Sequence, residues 1–258
     1  NMDTTNLGEP ILRPRLTFHR PILSYAKRAA VVCTILMTCL SSHSAWGDIT
    51  ADQAREAIRL AVESLRGSQN RAKGSWPDHG RFEGGATAIC TLALLNAGVP
   101  ADDPQIQAAL RSLRKLGAPK STYATSLQTM VFCTAEPERD WSDIRRNVKW
   151  LEKSQIADGE GIGGWSYGDR MSGTPDNSNS QFALLALHEA QAAGVPVSPD
   201  VWKRAQIYWI AKQKKDGSWG YRSVMGKGSM TCAGISSLII LMLQRPPRST
   251  LVVNGRVV

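Results

Sequence analysis

Gln213-Lys214-Lys215-Asp216-Gly217-Ser218-Trp219-Gly220-Tyr221 is the stretch from which the fold can be read. An amphipathic run precedes it and an apolar run follows it. The same order of parts recurs at Gln155-Ile156-Ala157-Asp158-Gly159, which reaches Trp165 and Tyr167. It recurs again at Gln69-Asn70-Arg71-Ala72-Lys73-Gly74-Ser75-Trp76. The distance from Gln to Trp differs between copies, so the turn varies in length while its ends are kept. Recurrence on this scale marks a repeat architecture. Asp-Gly supplies a turn whose glycine tolerates positive φ. The Gln stands where a helix ends and carbonyls lack intrahelical partners, and its amide can donate to backbone there. The Trp offers a flat packing face and an indole N–H that needs an acceptor. Each such clip is expected to contribute about 1–2 kcal/mol beyond burial, the scale of one hydrogen bond plus one aromatic contact.

Outward from the clips, helices are predicted in pairs. The first has apolar residues at Ala54, Ala57, Ile58, Ala61, Val62 and Leu65, a 3.6-residue stripe opposite a charged face. The second, 86–97, is apolar nearly all round and must be buried on most sides. The alternation continues with outer helices over 104–116, 142–154 and 199–213, and inner ones over 122–134, 178–193 and 230–243. Gly98 and Gly194 close two inner helices. Asp103-Pro104 and Ser198-Pro199 open the outer helices that follow, as an N-cap and a first-turn proline. The hairpin around Gly117-Ala118-Pro119 lacks the Gln…Trp clip and reads as the degenerate copy.

Gln213-x-x-x-Gly217-x-Trp219 resembles the QW motif of the squalene–hopene cyclases. The paired helices of roughly residues 50–243 resemble the wider terpenoid cyclase and protein prenyltransferase group. That resemblance implies an all-α fold, an (α/α) toroid or barrel of helical hairpins. About four hairpins are present here, fewer than the family's closed ring, so the ring is expected to be incomplete or open. The tail 246–258 contains Leu251-Val252-Val253-Asn254-Gly255-Arg256-Val257-Val258, which reads as a β-hairpin around Asn-Gly. An isolated hairpin is marginal in water, so the tail is expected to begin a further segment.

The 258 residues suffice for a sizeable core, and 42% hydrophobic with 21% charged residues is ordinary globular composition. The formal charge is +9. Part of it, Arg13, Arg15, Arg20, Lys27 and Arg28, lies near the start; the remainder is spread over helix faces, for instance Lys149 and Lys153. No basic stripe with a reader motif appears, so no nucleic-acid partner is expected. Lys27-Arg28, the apolar run 29–40 and the small residues to Ala45 read as a signal peptide with an extended basic flank over 1–47. The repeat domain then spans 48–245 and is exported, to periplasm, cell envelope or medium. The alternative is an uncleaved anchor, with membrane contact only through residues 29–40. After the leader, Cys90, Cys133 and Cys232 sit in apolar helical runs and read as buried free thiols. Metal-ligand spacing is absent.

For chemistry, the cyclase family's resemblance implies an Asp-x-Asp-Asp acid before an inner helix that continues Thr-Ala. Registered through Thr87-Ala88 this gives Glu83-Gly84-Gly85-Ala86, and through Ser180 it gives Asp176-Asn177-Ser178-Asn179. Gly85 or Ser178 stands where the central Asp would be, and neither can protonate an alkene. A carbocation cascade also wants an aromatic lining, whereas 7% of the chain is aromatic and Trp46, Trp76, Trp165 and Trp219 belong to turns or leader. The prenyltransferase branch implies zinc ligands where this chain has Ser178 and Met230, so no metal and no cofactor are expected. His188 reads as a core histidine. Asp176 and Glu83 remain the candidate catalytic acids, with helix capping as their alternative role. The ligand-site candidates are Asp176, Asn179, Trp165 and Tyr167, where inner-helix N-termini should converge at one mouth. Gln69, Trp76, Gln155, Trp165, Gln213 and Trp219 are the structural clips. These readings point to an exported, non-catalytic binding or scaffold module for an apolar, isoprenoid-like small molecule or a partner protein. The alternative is an isoprenoid (squalene-type) cyclase with an altered motif.

Overall fold

Helix-forming stripes punctuated by Gly and Pro become eight α-helices among the described residues of the computed structural model: α1 (Ala51–Ser68), α2 (Gly85–Asn96), α3 (Pro104–Leu116), α4 (Thr122–Ala135), α5 (Trp141–Ser154), α6 (Asn177–Ala192), α7 (Pro199–Ala211) and α8 (Gly228–Leu243). The described residues are 49–78, 82–168, 174–222 and 225–244, with the backbone of 252–253 and 256–257. The leader read over 1–47, with its apolar run 29–40, lies outside them. Of the tail, Val252–Val253 pairs antiparallel with Arg256–Val257, Val252 opposite Val257. The fold is all-α apart from this ladder. No described helix is long and apolar enough to cross a membrane.

The chain divides into two compact units, Asn1–Ala54 and Arg55–Val258. In the described part of the first, Thr50 and Gln53 form a capping box. The Thr50 N–H donates to Gln53 Oε1 (3.0 Å) and the Gln53 N–H to Thr50 Oγ1 (3.2 Å), so two N–H groups at the start of α1 are satisfied reciprocally.

In the second unit the helices sort by sequence pattern into two rows. The apolar helices pack in chain order, α2 on α4, α4 on α6 and α6 on α8. The amphipathic α3, α5 and α7 pack on them, α3 against α2, α5 against α4 and α6, and α7 against α8. The helix α4 is enclosed, with every residue from Ala124 to Phe132 buried, whereas α3 buries one stripe, Ile106, Ala109, Leu110 and Leu113. Such a stripe is what a one-sided outer helix can supply. Asp103 caps α3 as its sequence suggests, accepting from the Gln105 N–H at 2.9 Å. Ser198 holds the matching position on α7 but makes no side-chain cap bond.

The clips join the rows by one repeated set of bonds. Each indole N–H donates to the carbonyl four residues before the Gln: Trp76 to Leu65 (2.9 Å), Trp165 to Leu151 (2.8 Å), Trp219 to Trp209 (2.9 Å). The helix-end carbonyl is thus satisfied by the Trp and not, as the sequence suggested, by the Gln. Each Gln amide reaches the carbonyl of the glycine two residues before the Trp: Gln69 to Gly74 (3.1 Å), Gln155 to Gly163 (3.1 Å), Gln213 to Gly217 (3.0 Å). The first two also donate onward to the next outer helix, Gln69 to Gln105 O and Gln155 to Val201 O, both at 3.0 Å. Finally each Trp backbone N–H donates to a hydroxyl in the first turn of an inner helix, Thr87 (3.1 Å), Ser180 (3.0 Å) or Thr231 (3.2 Å). These three hydroxyls fix one common register for α2, α6 and α8.

The degenerate copy solves the same problem with another side chain. Gln128, on the inner helix α4, donates to both Leu113 O and Gly117 O at 3.2 Å, and Leu113 is the register equivalent of Leu65 and Leu151. Asn147 on α5 holds it, donating to Gln128 Oε1 at 2.8 Å. A buried amide pair replaces the indole, and all its polar groups that face inward find partners.

Cysteine exposure departs from expectation in one place. Cys90 and Cys133 are half-buried free thiols, with burial pushing the first up and the second up to about 12. Cys232, read as buried, is exposed. It lies on the side of α8 where, in the other inner helices, the next inner helix packs.

Candidate functional site

Two residues past each of the last two clip tryptophans stands a tyrosine, and the loop is held so that this ring crosses the starts of the inner helices. For the second clip, the Thr122 N–H at the start of α4 donates to Tyr167 O (3.0 Å), and the Asp176 N–H before α6 donates to Trp165 O (3.2 Å). For the third, Asn177 Nδ2 donates to Gly220 O (2.6 Å), which fixes Tyr221 beside α6. Asn177 in turn accepts from the Tyr208 hydroxyl at 2.8 Å.

The outcome is a patch of half-buried aromatic rings at the N-termini of α2, α4 and α6. Tyr123 of α4 is its centre. Its ring centroid lies 6.2 Å from Phe82, 5.8 Å from Tyr167 and 5.2 Å from Phe182. The Tyr167 and Tyr221 hydroxyls meet at 2.5 Å. The Arg222 guanidinium lies over both rings, 5.5 Å from Tyr167 and 5.7 Å from Tyr221. Edge and tilted ring contacts of this kind contribute about 0.5–1.5 kcal/mol each beyond burial. Burial pushes the Tyr123 phenol up to about 12, with the nearby Asp176 charge adding and a Ser178 hydrogen bond opposing. Burial raises Tyr208 and Tyr221 as well. All are therefore neutral phenols, able to donate one hydrogen bond each.

Asp176 lies beneath the patch, fully buried. One oxygen accepts from the Asn179 N–H (2.8 Å), capping α6; the other accepts from Asn179 Nδ2 (2.7 Å) and faces Arg222 at 3.4 Å. Both oxygens are acceptors in these bonds. Its arrangement is that of an acceptor anchoring a cap and an arginine. Asn179 leaves its own Oδ1 buried and without a partner among the described residues.

The other candidates separate. Trp165 is fully buried with its indole N–H bonded to Leu151, so it belongs to the scaffold under Tyr167. Glu83 is exposed and does not cap α2; Asp78 does, accepting from the N–H groups of Gly84 (2.8 Å) and Ala86 (3.1 Å). Glu83 instead borders an open groove of about 640 Å³ between the first clip and α3, which Arg71, Lys73, Arg111 and Lys115 also line. A small cleft of about 130 Å³ lies behind the patch, among Asn177, Tyr208, Tyr221 and Arg222. His188 is paired through Nδ1 with the Gln244 amide at 2.9 Å. Among the described residues no three His, Cys, Asp or Glu side chains come together as a metal would require.

Tyr123, Tyr208, Tyr221, Phe82, Phe182 and Arg222 are absent from the sequence-based candidates. The low aromatic fraction argued against a ring-lined site, but four of the chain's five tyrosines are gathered here. The legible signal was Tyr at the second position after Trp165 and after Trp219. Set against known families and against curated proteins, the chain matches none of either.

Proposed function

We propose that this chain is a non-catalytic binding module of the terpenoid cyclase and prenyltransferase type, an open ring of hairpins that holds an apolar, isoprenoid-like ligand on the aromatic patch around Tyr123. The observation that carries this reading is the concentration of half-buried rings, which offer a ligand apolar area together with polar hydroxyl edges and one cation. A few placed polar groups in an aromatic setting are the usual make-up of a small-molecule site. The same rings favour a second reading, a cyclase with an altered motif, because ring faces stabilise developing positive charge. Against it, Asp176 is bound as an acceptor to Asn179 and Arg222, and Gly85 and Ser178 occupy the family's acid position.

The test uses Tyr167→Leu and Arg222→Ala, assayed with a fluorescent apolar probe and by thermal melting. We expect each to weaken probe binding several-fold, on the scale of one ring or cation–π contact. Each should also lower melting, Tyr167→Leu by losing ring contacts and Arg222→Ala by leaving the buried Asp176 without its cation, so binding is compared at a temperature where circular dichroism shows every variant folded. Asp176→Asn should lower melting too, since it weakens a helix cap of about 1 kcal/mol. Probe affinity equal to wild type in both Tyr167→Leu and Arg222→Ala would sink the binding reading. Hopanoid-type product from squalene would establish the cyclase.

We also propose that the protein is exported, from the Lys27-Arg28 flank and the apolar run 29–40. Mass spectrometry of the exported protein should find a chain starting after Ser44 or Ala45. A mature chain that retains Ala30 would identify an anchor instead.

A further inference from the structure

We propose that copies of this chain associate head to tail, the α7–α8 end of one docking on the α1–α2 end of another. The interface would be the one the chain already makes twice internally. In the first clip, Gln69 donates to Gln105 O of α3, and a Cβ on Gly74 would overlap the Ala108 carbonyl three residues further on. In the second, Gln155 donates to Val201 O of α7, and a Cβ on Gly163 would overlap the Arg204 carbonyl, again three residues on. The clip therefore seats directly on the backbone of the next outer helix. In the third clip the Gln213 amide donates to Gly217 O, and open space surrounds the Cβ position of Gly217. Among the described residues no outer helix follows.

The inner row ends in the same way. Register positions Ala88 and Thr91 on α2 and Leu184 on α6 are fully buried, and α2 and α6 each pack on the next inner helix; Gln181, the α6 equivalent of Cys232, donates to the Ser236 hydroxyl of α8 at 3.1 Å. On α8 the corresponding stripe is Cys232, Ile235, Ile239 and Met242. It is apolar and exposed, with Ile235 at 52% and Ile239 at 53%.

The opposite end presents the complement. Counted back from the clip Gln, Ile58 of α1 stands where α3 has Ile106 and α5 has Ile144. Ile106 and Ile144 are 0% exposed and Ile58 is 52%. Leu60 of α1 matches the Ala108 and Arg204 seats and is also exposed. On α2, Ile89 is exposed where the register equivalents Leu127 and Ala233 are buried. Repeat arrays keep terminal faces polar to stay apart, whereas here the exposed faces carry apolar residues, Ile58, Leu60 and Ile89 on one side and Ile235 and Ile239 on the other. One molecule thus holds both halves of a single interface, which is why a second copy is its occupant. Such a contact is heterologous, giving rings or open chains according to its rotation.

The test is sedimentation velocity of the full chain over a concentration series, with Ile58→Glu and Ile239→Glu. Both positions are exposed, so folding, checked by circular dichroism, should be kept. Wild type should associate, and each variant alone should be monomeric at the same concentrations. An equimolar mixture of the two should give dimers and nothing larger, because one intact head then meets one intact tail. A wild type that stays monomeric throughout would overturn the proposal, as would single variants that still associate or a mixture that stays monomeric. None of these outcomes depends on whether the aromatic patch binds a ligand.

Discussion

Trp219→Ala is expected to lower the unfolding free energy by about 3–5 kcal/mol, the range for removing a buried Trp. Trp219 is 2% exposed, and its ring fills the space that a side chain on Gly234 of α8 would need. The ring also stands 6.4 Å from that of Trp209 in an edge contact. Two terms add. The cavity left behind is bounded by two helices that the rest of the unit holds in place, so it collapses only in part. The Trp209 carbonyl loses the N–H that satisfied it. A companion variant, Trp219→Phe, keeps most of the volume and isolates the second term at about 1 kcal/mol. Urea unfolding measures both. A loss under about 1 kcal/mol for the alanine variant would show that the clip does not hold α7 to α8.

Gly163→Ala and Gly217→Ala are one substitution at matching points of two clips, and their effects should differ widely. Both glycines have positive φ, 85° and 83°, which an alanine adopts at a cost of about 1–2 kcal/mol. Gly217→Ala should show that cost and little more, since nothing approaches its Cβ. At Gly163 the methyl would overlap the backbone carbonyl of Arg204, so α7 must move away and the Gln155–Val201 bond must lengthen. The expected loss there is larger by about 2 kcal/mol or more, the range of overpacking against an unyielding neighbour. Chemical unfolding of the pair side by side gives the answer. Equal losses at the two sites would mean that the clip-to-helix seat is not a fixed contact.

The helices were legible because their signals are local. The stripe from Ala54 to Leu65 and the apolar run from Ala88 to Leu95 each satisfy one period, and Asp103-Pro104 marks a start that the structure keeps within a residue. The bonding of the clips was legible in kind but not in partner. A Gln at a helix end predicts a donor seeking a carbonyl. Which carbonyl depends on where the turn returns, and that is set by packing against the next helix. Gln128 shows the same limit. Nothing near Gly117 marks a residue on the following helix as the substitute for an absent Trp. Capping of α2 was misplaced for a similar reason: Glu83 is nearer in sequence, but Asp78 is the acid that the loop brings onto the Gly84 and Ala86 N–H groups. The aromatic patch was the least visible feature. Phe82, Tyr123, Tyr167, Phe182 and Tyr221 are spread over 140 residues of sequence and become neighbours only because inner-helix N-termini converge.

That convergence makes the binding reading testable at single residues. Tyrosine and tryptophan side chains report on different layers here, since the Tyr123 and Tyr167 rings form the half-open patch while Trp165 and Trp219 are enclosed beneath it. The most direct measurement is a nuclear magnetic resonance titration of the full chain, labelled at both residue types, with farnesol as the isoprenoid probe. Bound probe should shift the ring signals of Tyr123, Tyr167 and Tyr221 saturably and leave the indole N–H signals of Trp165 and Trp219 in place. Tyrosine ring signals that do not move, at probe concentrations that shift other parts of the chain or none, would contradict the assignment of the patch as the binding site.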